Sequence, residues 1–325
     1  MAFVKNLKLM VKNMNPIIIG AGFAGLLAAN TQFQRSEILE ASSEDDLRKH
    51  TALLRFRSPD VGNAVGIPFK KVQVHKSIWI GGLHYQCPNI CLANKYSQKV
   101  IGGIADRSIW NLDTCERWIA PENLQEQLIE RCKDRIHWST PMNGWIFPEP
   151  QSFISTMPLP IAAKLVHSRC YANTENIDFK TQSIITLKWR VKSCNVHQTI
   201  YYPNTEINLY RASIVGDILT AEYVSEGLEE AESACEQELE HSFGLSDLGE
   251  FLGLSRQKFG KISPIDELWR KNFVFNLSNI DNIYSLGRFA TWRQILLDDV
   301  LKDINVIKRL IEVGNHYDAA MVNSK

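Results

Sequence analysis

Three glycines set the strongest constraint on this chain. Gly20, Gly22 and Gly25 stand as G-x-G-x-x-G directly after the apolar run Ile17-Ile18-Ile19 and directly before Leu26-Leu27-Ala28-Ala29. A short β-branched run suits a strand buried on both faces of a parallel sheet. Leucine and alanine favour a helix. The local reading is strand, glycine turn, helix. In that setting Gly20 permits the tight turn, Gly22 lets a pyrophosphate approach the backbone, and Gly25 lets the helix pack close to the strand. The amides of Ala21, Phe23 and Ala24 stand at the helix start, where a phosphate is favoured. A second strand, Glu37-Ile38-Leu39, ends at Glu40, 20 residues after Gly20. An acid at that distance accepts hydrogen bonds from an adenosine ribose, and Ala41 sits beside it. The expected fold class is α/β: a Rossmann-like domain with a parallel sheet and helices on both faces.

Composition sets outer limits. A length of 325 residues accommodates one large or two interleaved domains, at roughly 100–200 residues each. The net charge is zero, so no global field favours nucleic acid. Seven scattered cysteines fit a reducing compartment better than a disulfide framework. The expected location is therefore cytoplasmic, or the host cytoplasm for a viral protein. Cys87 and Cys91 are the one close pair, and without a second pair at zinc spacing no metal is expected. Lys5, Lys8 and Lys12 before the uncharged run 13–34 superficially resemble a secretory signal. The three glycines, Pro16 and Asn30 inside that run argue against one, and 1–13 reads as an N-terminal extension. No other segment approaches the roughly 18 apolar residues of a membrane span. Oligomeric state is left open.

Near the other end, Ile283-Tyr284-Ser285-Leu286-Gly287-Arg288-Phe289-Ala290-Thr291-Trp292-Arg293 precedes apolar residues at helical spacing: Ile295, Val300, Ile304, Ile307 and Ile311. This predicts a strand ending at Gly287 and then a long helix, with Gly314 as its terminator. Two further sheet segments are expected at Ser183–Val191 and Thr199–Tyr202, and helices at Pro121–Cys132 and over 225–243. Tyr201 and Tyr202 read as an edge strand with aromatic cross-strand pairs.

The Gly287–Trp292 segment, with Asp298 and Asp299 following, resembles the closing motif G-R-[FL]-[AG]-x-[WY] of amine-oxidase-like flavoproteins, and in particular of UDP-galactopyranose mutases. Phe153-Ile154-Ser155-Thr156-Met157-Pro158-Leu159-Pro160 is similar to the stretch where those chains leave the FAD sheet. Tyr201-Tyr202-Pro203 through Leu209-Tyr210-Arg211 is similar to a substrate-domain segment. Together with the termini these cover about a third of the chain. The resemblance implies FAD as cofactor, with Arg288 at the pyrophosphate, Gly287 and Phe289 beside the flavin, and Asp298 near the ribityl chain. It also implies an α+β substrate domain interleaved with the FAD domain. The expected boundaries are 14–75, 135–165 and 255–325 for FAD binding, and 76–134 and 166–254 for substrate.

The chain departs from the family pattern where an arginine and two glycines should follow the ribose-binding acid. Glu40 is followed instead by Ala41-Ser42-Ser43-Glu44. By charge and position, Arg55 or Arg57 stands in for the missing phosphate ligand. Gly81-Gly82-Leu83-His84 only loosely echoes the family's glycine–histidine segment. Candidate catalytic residues are therefore Arg211, Tyr210 and His84. The leading expectation is an FAD-dependent oxidoreductase whose flavin accepts a hydride from a C–N or C–C bond of a small or nucleotide-linked substrate. The alternatives are a nucleotide-sugar isomerase of the mutase type and a flavoenzyme of viral base hypermodification. A binding module without activity is the reading outside enzymes.

Overall fold

The structure is a computed structural model that describes residues 15–47, 54–142, 151–166, 177–224 and 236–323. The extension at 1–13 and most of the glutamate-rich stretch at 225–235 lie outside the described residues.

Fourteen strands form two sheets among the described residues. In chain order they are β1 (Ile17–Ile19), β2 (Ile38–Leu39), β3 (Arg55–Phe56), β4 (Lys70–Ile80), β5 (Leu83–Tyr85), β6 (Cys115–Ile119), β7 (Ile136–His137) and β8 (Phe153–Ser155), then β9 (Thr181–Arg190), β10 (Val196–Tyr201), β11 (Leu209–Gly216), β12 (Ile218–Val224), β13 (Glu250–Ile262) and β14 (Ile283–Ser285). The first sheet runs β14-β8-β1-β2-β7, and every pair in it is parallel. The chain therefore has the mixed α/β fold, with a parallel sheet and helices, that the sequence predicts.

Burial in this sheet alternates with period two between two helical layers. Ile18, Ile38, Ile154 and Tyr284 point into one core, and Ile17, Ile19, Leu39, Phe153 and Ile283 into the other. The helices are α1 (Phe23–Asn30), α2 (Asp60–Val65), α3 (Ile90–Ile101), α4 (Leu124–Glu130), α5 (Leu159–Val166), α6 (Glu236–Phe243), α7 (Glu267–Asp281), α8 (Arg288–Thr291) and α9 (Leu297–Asn323). The first core joins α1, α4 and α9; the second joins α5 and α7.

The second sheet runs β13-β9-β12-β11-β10-β4-β6-β3, with β5 paired to β4. All its pairs are antiparallel except β10–β4. Arg55–Phe56 and the whole of β4 and β13 belong to this sheet, yet Phe56 packs into the first core. The two units are thus laced together.

Three local expectations need correction. The helix expected to stop at Gly314 runs on to Asn323. A Cβ at Gly314 would meet nothing within 4 Å, and an isolated glycine costs a long exposed helix only about 1 kcal/mol. Tyr201 lies on an interior strand, because β10 is flanked by β11 and β4. The strand expected to end at Gly287 ends at Ser285, and α8 starts at once, with α9 as a separate helix from Leu297. Trp292, in the left-handed region at φ 48°, breaks the two helices apart.

Candidate functional site

The carboxyl ends of β1, β8 and β14 converge, as ligand-binding ends do in parallel sheets. Thr156 N and Thr156 Oγ1 both donate to the Ile19 carbonyl, at 2.9 and 2.8 Å. Leu286 N donates to the Ser155 carbonyl at 2.8 Å. The glycines at this convergence have distinct jobs. At Gly20, φ is +99° and a side chain would collide with Thr156 Oγ1. At Gly25 a Cβ would run into the Gly20 carbonyl, so the helix can cross the strand this closely only without one. Gly287 adopts φ +93°, and a Cβ there would stand 2.8 Å from that of Ala24. The first and last motifs therefore touch. Gly22 differs from these three, since a Cβ there would meet nothing within 4 Å. The space in front of Gly22 is open, and no side chain caps the helix behind it.

Glu40 is buried behind this loop. Its Oε2 accepts from Ala21 N at 2.6 Å and its Oε1 from Ser42 N at 2.9 Å. A carboxylate has lone pairs beyond these two bonds. Ala41 is exposed next to it.

The glycine loop opens onto a cavity of about 610 Å³. One wall is Gly22–Ala24 with Leu286–Phe289; the facing wall is one face of the second sheet. Strand periodicity explains that face. On β9, β12 and β10, the residues Ile185, Leu187, Trp189, Leu219, Ala221, Tyr223 and Ile200 point away into an apolar core. Their alternates Thr186, Thr220, Glu222 and Thr199 are buried on the other side. On β11, Ala212 and Ile214 join the core, while Arg211 and Ser213 take the polar face. The hydroxyl of Thr186 and, at the end of β8, that of Ser155 are buried without a hydrogen-bond partner.

The charged groups of this face are ordered. Arg211 holds Glu222 by a two-pronged bond from Nε and Nη2, and the Tyr210 hydroxyl donates to Glu222 Oε1 at 3.1 Å. Burial alone would raise the Glu222 pKa. The Arg211 charge and hydrogen bonds overcome that and bring it to about 2. Burial and the nearby Glu222 carboxylate push the Tyr210 phenol well above its ordinary value. Arg55 donates to Thr199 Oγ1 at 2.7 Å and Ser213 Oγ at 3.2 Å. Burial and then repulsion from Arg211 lower it to about 10. Lys261 lines the same cavity. Burial, then Arg211, hold its amine well below the usual range.

The structure brings many of the sequence candidates to one place. Gly22, Phe23, Ala24, Arg55, Arg57, Arg211, Gly287, Arg288 and Phe289 line the cavity. Tyr210 lies under it, bonded to Glu222. Arg55 faces the second sheet rather than the glycine loop. Arg57 is tied to Asp298 and Asp299. Asp298, in the first turn of α9, accepts from Arg57 N at 2.9 Å and Ser58 N at 3.3 Å, while its buried Oδ2 has no hydrogen-bond donor. Arg288 donates to the Ile295 carbonyl at 2.9 Å from Nη2. His84 lies apart on the exposed β4–β5 hairpin, bonded to Ser77 and tilted against Trp79.

Glu222, Lys261, Lys76 and Arg117 complete the charged lining and were not singled out from sequence. The alternation in Leu219-Thr220-Ala221-Glu222-Tyr223 was a usable signal for Glu222. Lys261 had none. Among the described residues no cluster of three or more His, Cys, Asp or Glu is placed to hold a metal. No helix among them is long and apolar enough to cross a membrane.

No protein-family model matches the chain, and no curated protein matches it by sequence. Solved structures do. Reduced UDP-galactopyranose mutase superposes with a TM-score of 0.64 at 14% identity, covering 93% of this chain and 96% of the other. A CLA-producing fatty acid isomerase from P. acnes gives 0.56 at 13% identity, covering 92% and 99%. A geranylgeranyl bacteriochlorophyll reductase-like protein from Thermoplasma acidophilum gives 0.50 at 12%, covering 92% and 79%. At these identities the likeness establishes the fold alone, a Rossmann-like parallel sheet with helices.

Proposed function

We propose that this protein is an FAD-dependent oxidoreductase whose flavin accepts a hydride from a C–N or C–C bond of a small or nucleotide-linked substrate. The observation that carries this reading is the shared cavity: a glycine-lined wall at the carboxyl ends of a parallel sheet faces a polar, charged sheet face across one space. Fold alone does not decide chemistry, so the residues must fit the cofactor, and they do. The open space at Gly22 is what a pyrophosphate needs. Asp298 Oδ2, ion-paired with Arg57 Nε at 3.7 Å, is a buried acceptor with no hydrogen-bond donor.

Gly22 and the amides opening α1 would hold the pyrophosphate, and Glu40 the ribose hydroxyls. Arg288 would neutralise phosphate charge as a planar, permanently charged fork. The turn from Gly287 to Phe289 would border the ring, with Asp298 near the ribityl chain. When bound, FAD supplies the two-electron acceptor, and the protein supplies orientation and electrostatics. Thr199 and the fixed Arg211–Glu222 pair would orient the substrate from the facing wall. Tyr201, Tyr96 and the other apolar residues around α3 close one side of that wall against water.

A nucleotide-sugar isomerase is the second reading. The place of Arg211 in the cavity favours it; the engagement of its Nε and Nη2 with Glu222 counts against it. An oxidoreductase reduces an acceptor in step with substrate, whereas an isomerase requires reduced flavin and turns over no acceptor.

Purified protein should be yellow and release FAD on denaturation. Gly22→Val should keep the wild-type far-UV spectrum and melting temperature without cofactor, yet bind FAD at least about a hundredfold more weakly. A colourless wild type that cannot be reconstituted with FAD would refute the proposal.

A further inference from the structure

Charge in the cavity does not balance. Glu222 is matched by Arg211, and Arg57 by Asp298 and Asp299. Arg55, Lys261 and Arg288 have no carboxylate within ion-pair distance among the described residues. Arg55 is held by two hydroxyls and Arg288 by a carbonyl. Lys261 has the Tyr210 ring 5.5 Å from its Nζ. Lys76 and Arg117, on the same lining, donate to backbone carbonyls. Each of the three unmatched groups is enclosed by protein yet open to the cavity. A cation in such a place is costly without a counter-charge, and its retention calls for one that arrives with a ligand. FAD brings a pyrophosphate, for which the glycine loop and Arg288 suffice. Arg55 and Lys261 belong to the opposite wall and remain unmatched.

Arg55 shows a built subsite. Thr199 and Ser213 are direct cross-strand partners on β10 and β11, and their hydroxyls fix two edges of the guanidinium. Its charged neighbours Arg211 and Arg117 add positive field, which Glu222 offsets in part. A rigid guanidinium flanked by hydroxyls, in a site shielded from bulk water, recognises carboxylate or phosphate oxygens. We propose that the substrate is an acid whose anionic group docks on Arg55 and Thr199, with Ser213 holding the guanidinium in place and Lys261 as a second cationic pole for the reacting end of the molecule. This rests on the reading of the cavity as a flavoenzyme active site, and it replaces the assignment of Arg55 to the cofactor phosphate.

The test uses the FAD-loaded protein with inorganic phosphate, pyrophosphate, succinate and acetate, against sodium chloride at equal ionic strength. Melting temperature and the flavin spectrum are the readouts. At least one of these anions should raise the melting temperature and perturb the flavin spectrum beyond the chloride control. Preference for the phosphates or for the carboxylates then names the acid. Arg55→Met should weaken that anion about ten- to a hundredfold and leave the anion-free melting temperature unchanged or higher, since an unmatched charge has been removed. A structural role for Arg55 would lower it instead. Lys261→Met, which alters a different strand, should weaken binding severalfold and decides the matter should Arg55→Met fail to fold. Lys71→Met, on the exposed side of β4, should change nothing. The proposal is overturned if no anion exceeds chloride, if Arg55→Met and Lys261→Met both bind like wild type, or if loading FAD abolishes a response seen in the apoprotein, which would return Arg55 to the cofactor. A yellow protein that ignores anions sinks this inference alone; a colourless one that cannot be reconstituted sinks the flavoenzyme reading instead.

Discussion

The two walls of the cavity are made of different material. The first is backbone: a glycine turn, a helix start and a second glycine turn brought against it from the far end of the chain. The second is side chains: one face of a mostly antiparallel sheet carrying Arg211, Glu222, Thr199, Ser213 and Arg55. A backbone site demands particular residues at fixed spacing, because only glycine admits the close approach. A side-chain site demands only that some strand, in the right register, carry the right group on its inner face. The first kind is read in a line of sequence, and the second only after strands have been paired.

The largest expected effect falls on the side-chain wall. Glu222→Ala should lower stability by about 3–5 kcal/mol, because it strands the Arg211 cation; urea unfolding measures this. The pair also has a pH signature. With its folded pKa near 2 against an ordinary 4.5, Glu222 contributes stability that is fully present above about pH 4.5 and is lost as pH falls toward 2. In Arg211→Met the buried carboxyl loses its partner and burial then raises its pKa, so acid should relieve that variant as pH falls toward about 4.5, before the wild type begins to lose stability. Parallel acid limbs for the two proteins would show that the wall is not organised by this pair.

The backbone wall should answer differently. Gly25→Ala should cost about 1–3 kcal/mol or more by overpacking against the Gly20 carbonyl, with or without cofactor. Gly22→Val should cost nothing in the apoprotein. Equal losses at the two glycines would erase the distinction between a packing glycine and a ligand glycine.

Smallest is the effect expected at Arg288, where the walls meet. Arg288→Ala should weaken FAD by about ten- to a hundredfold, the loss of one charge-assisted hydrogen bond of about 1.5–3 kcal/mol. Arg288→Lys should recover part of it. Titration of FAD into the apo forms, alongside their melting curves, separates this from a structural role.

Legibility followed the same division. The parallel sheet, α1 and the meeting of the two glycine motifs were all readable, because Ile17–Ile19 and the G-x-G-x-x-G spacing leave few alternatives. Arg55 was singled out for its charge, but the sequence could not tell which wall it would join. That depends on β3 pairing with β6 at the edge of the second sheet, a contact between residues more than sixty positions apart. Lys261 was invisible for the same reason. The end of α9 was misjudged because a glycine stops a helix only when tertiary structure lets it turn, and nothing presses on Gly314.

The order of strands in the first sheet carries one more consequence. β1 is made first, but its neighbour β8 comes more than a hundred residues later, and β14, with the Gly287 turn that packs on Ala24, later still. On the ribosome, the glycine loop therefore emerges long before the segments that complete its pocket. Such long-range pairing folds slowly and leaves apolar strand edges exposed in the meantime. A nascent chain halted before β14 lacks the Gly287 turn, so on the proposed reading a cofactor would find its complete pocket only once β14 has been made, and would stabilise the fold only from that point on.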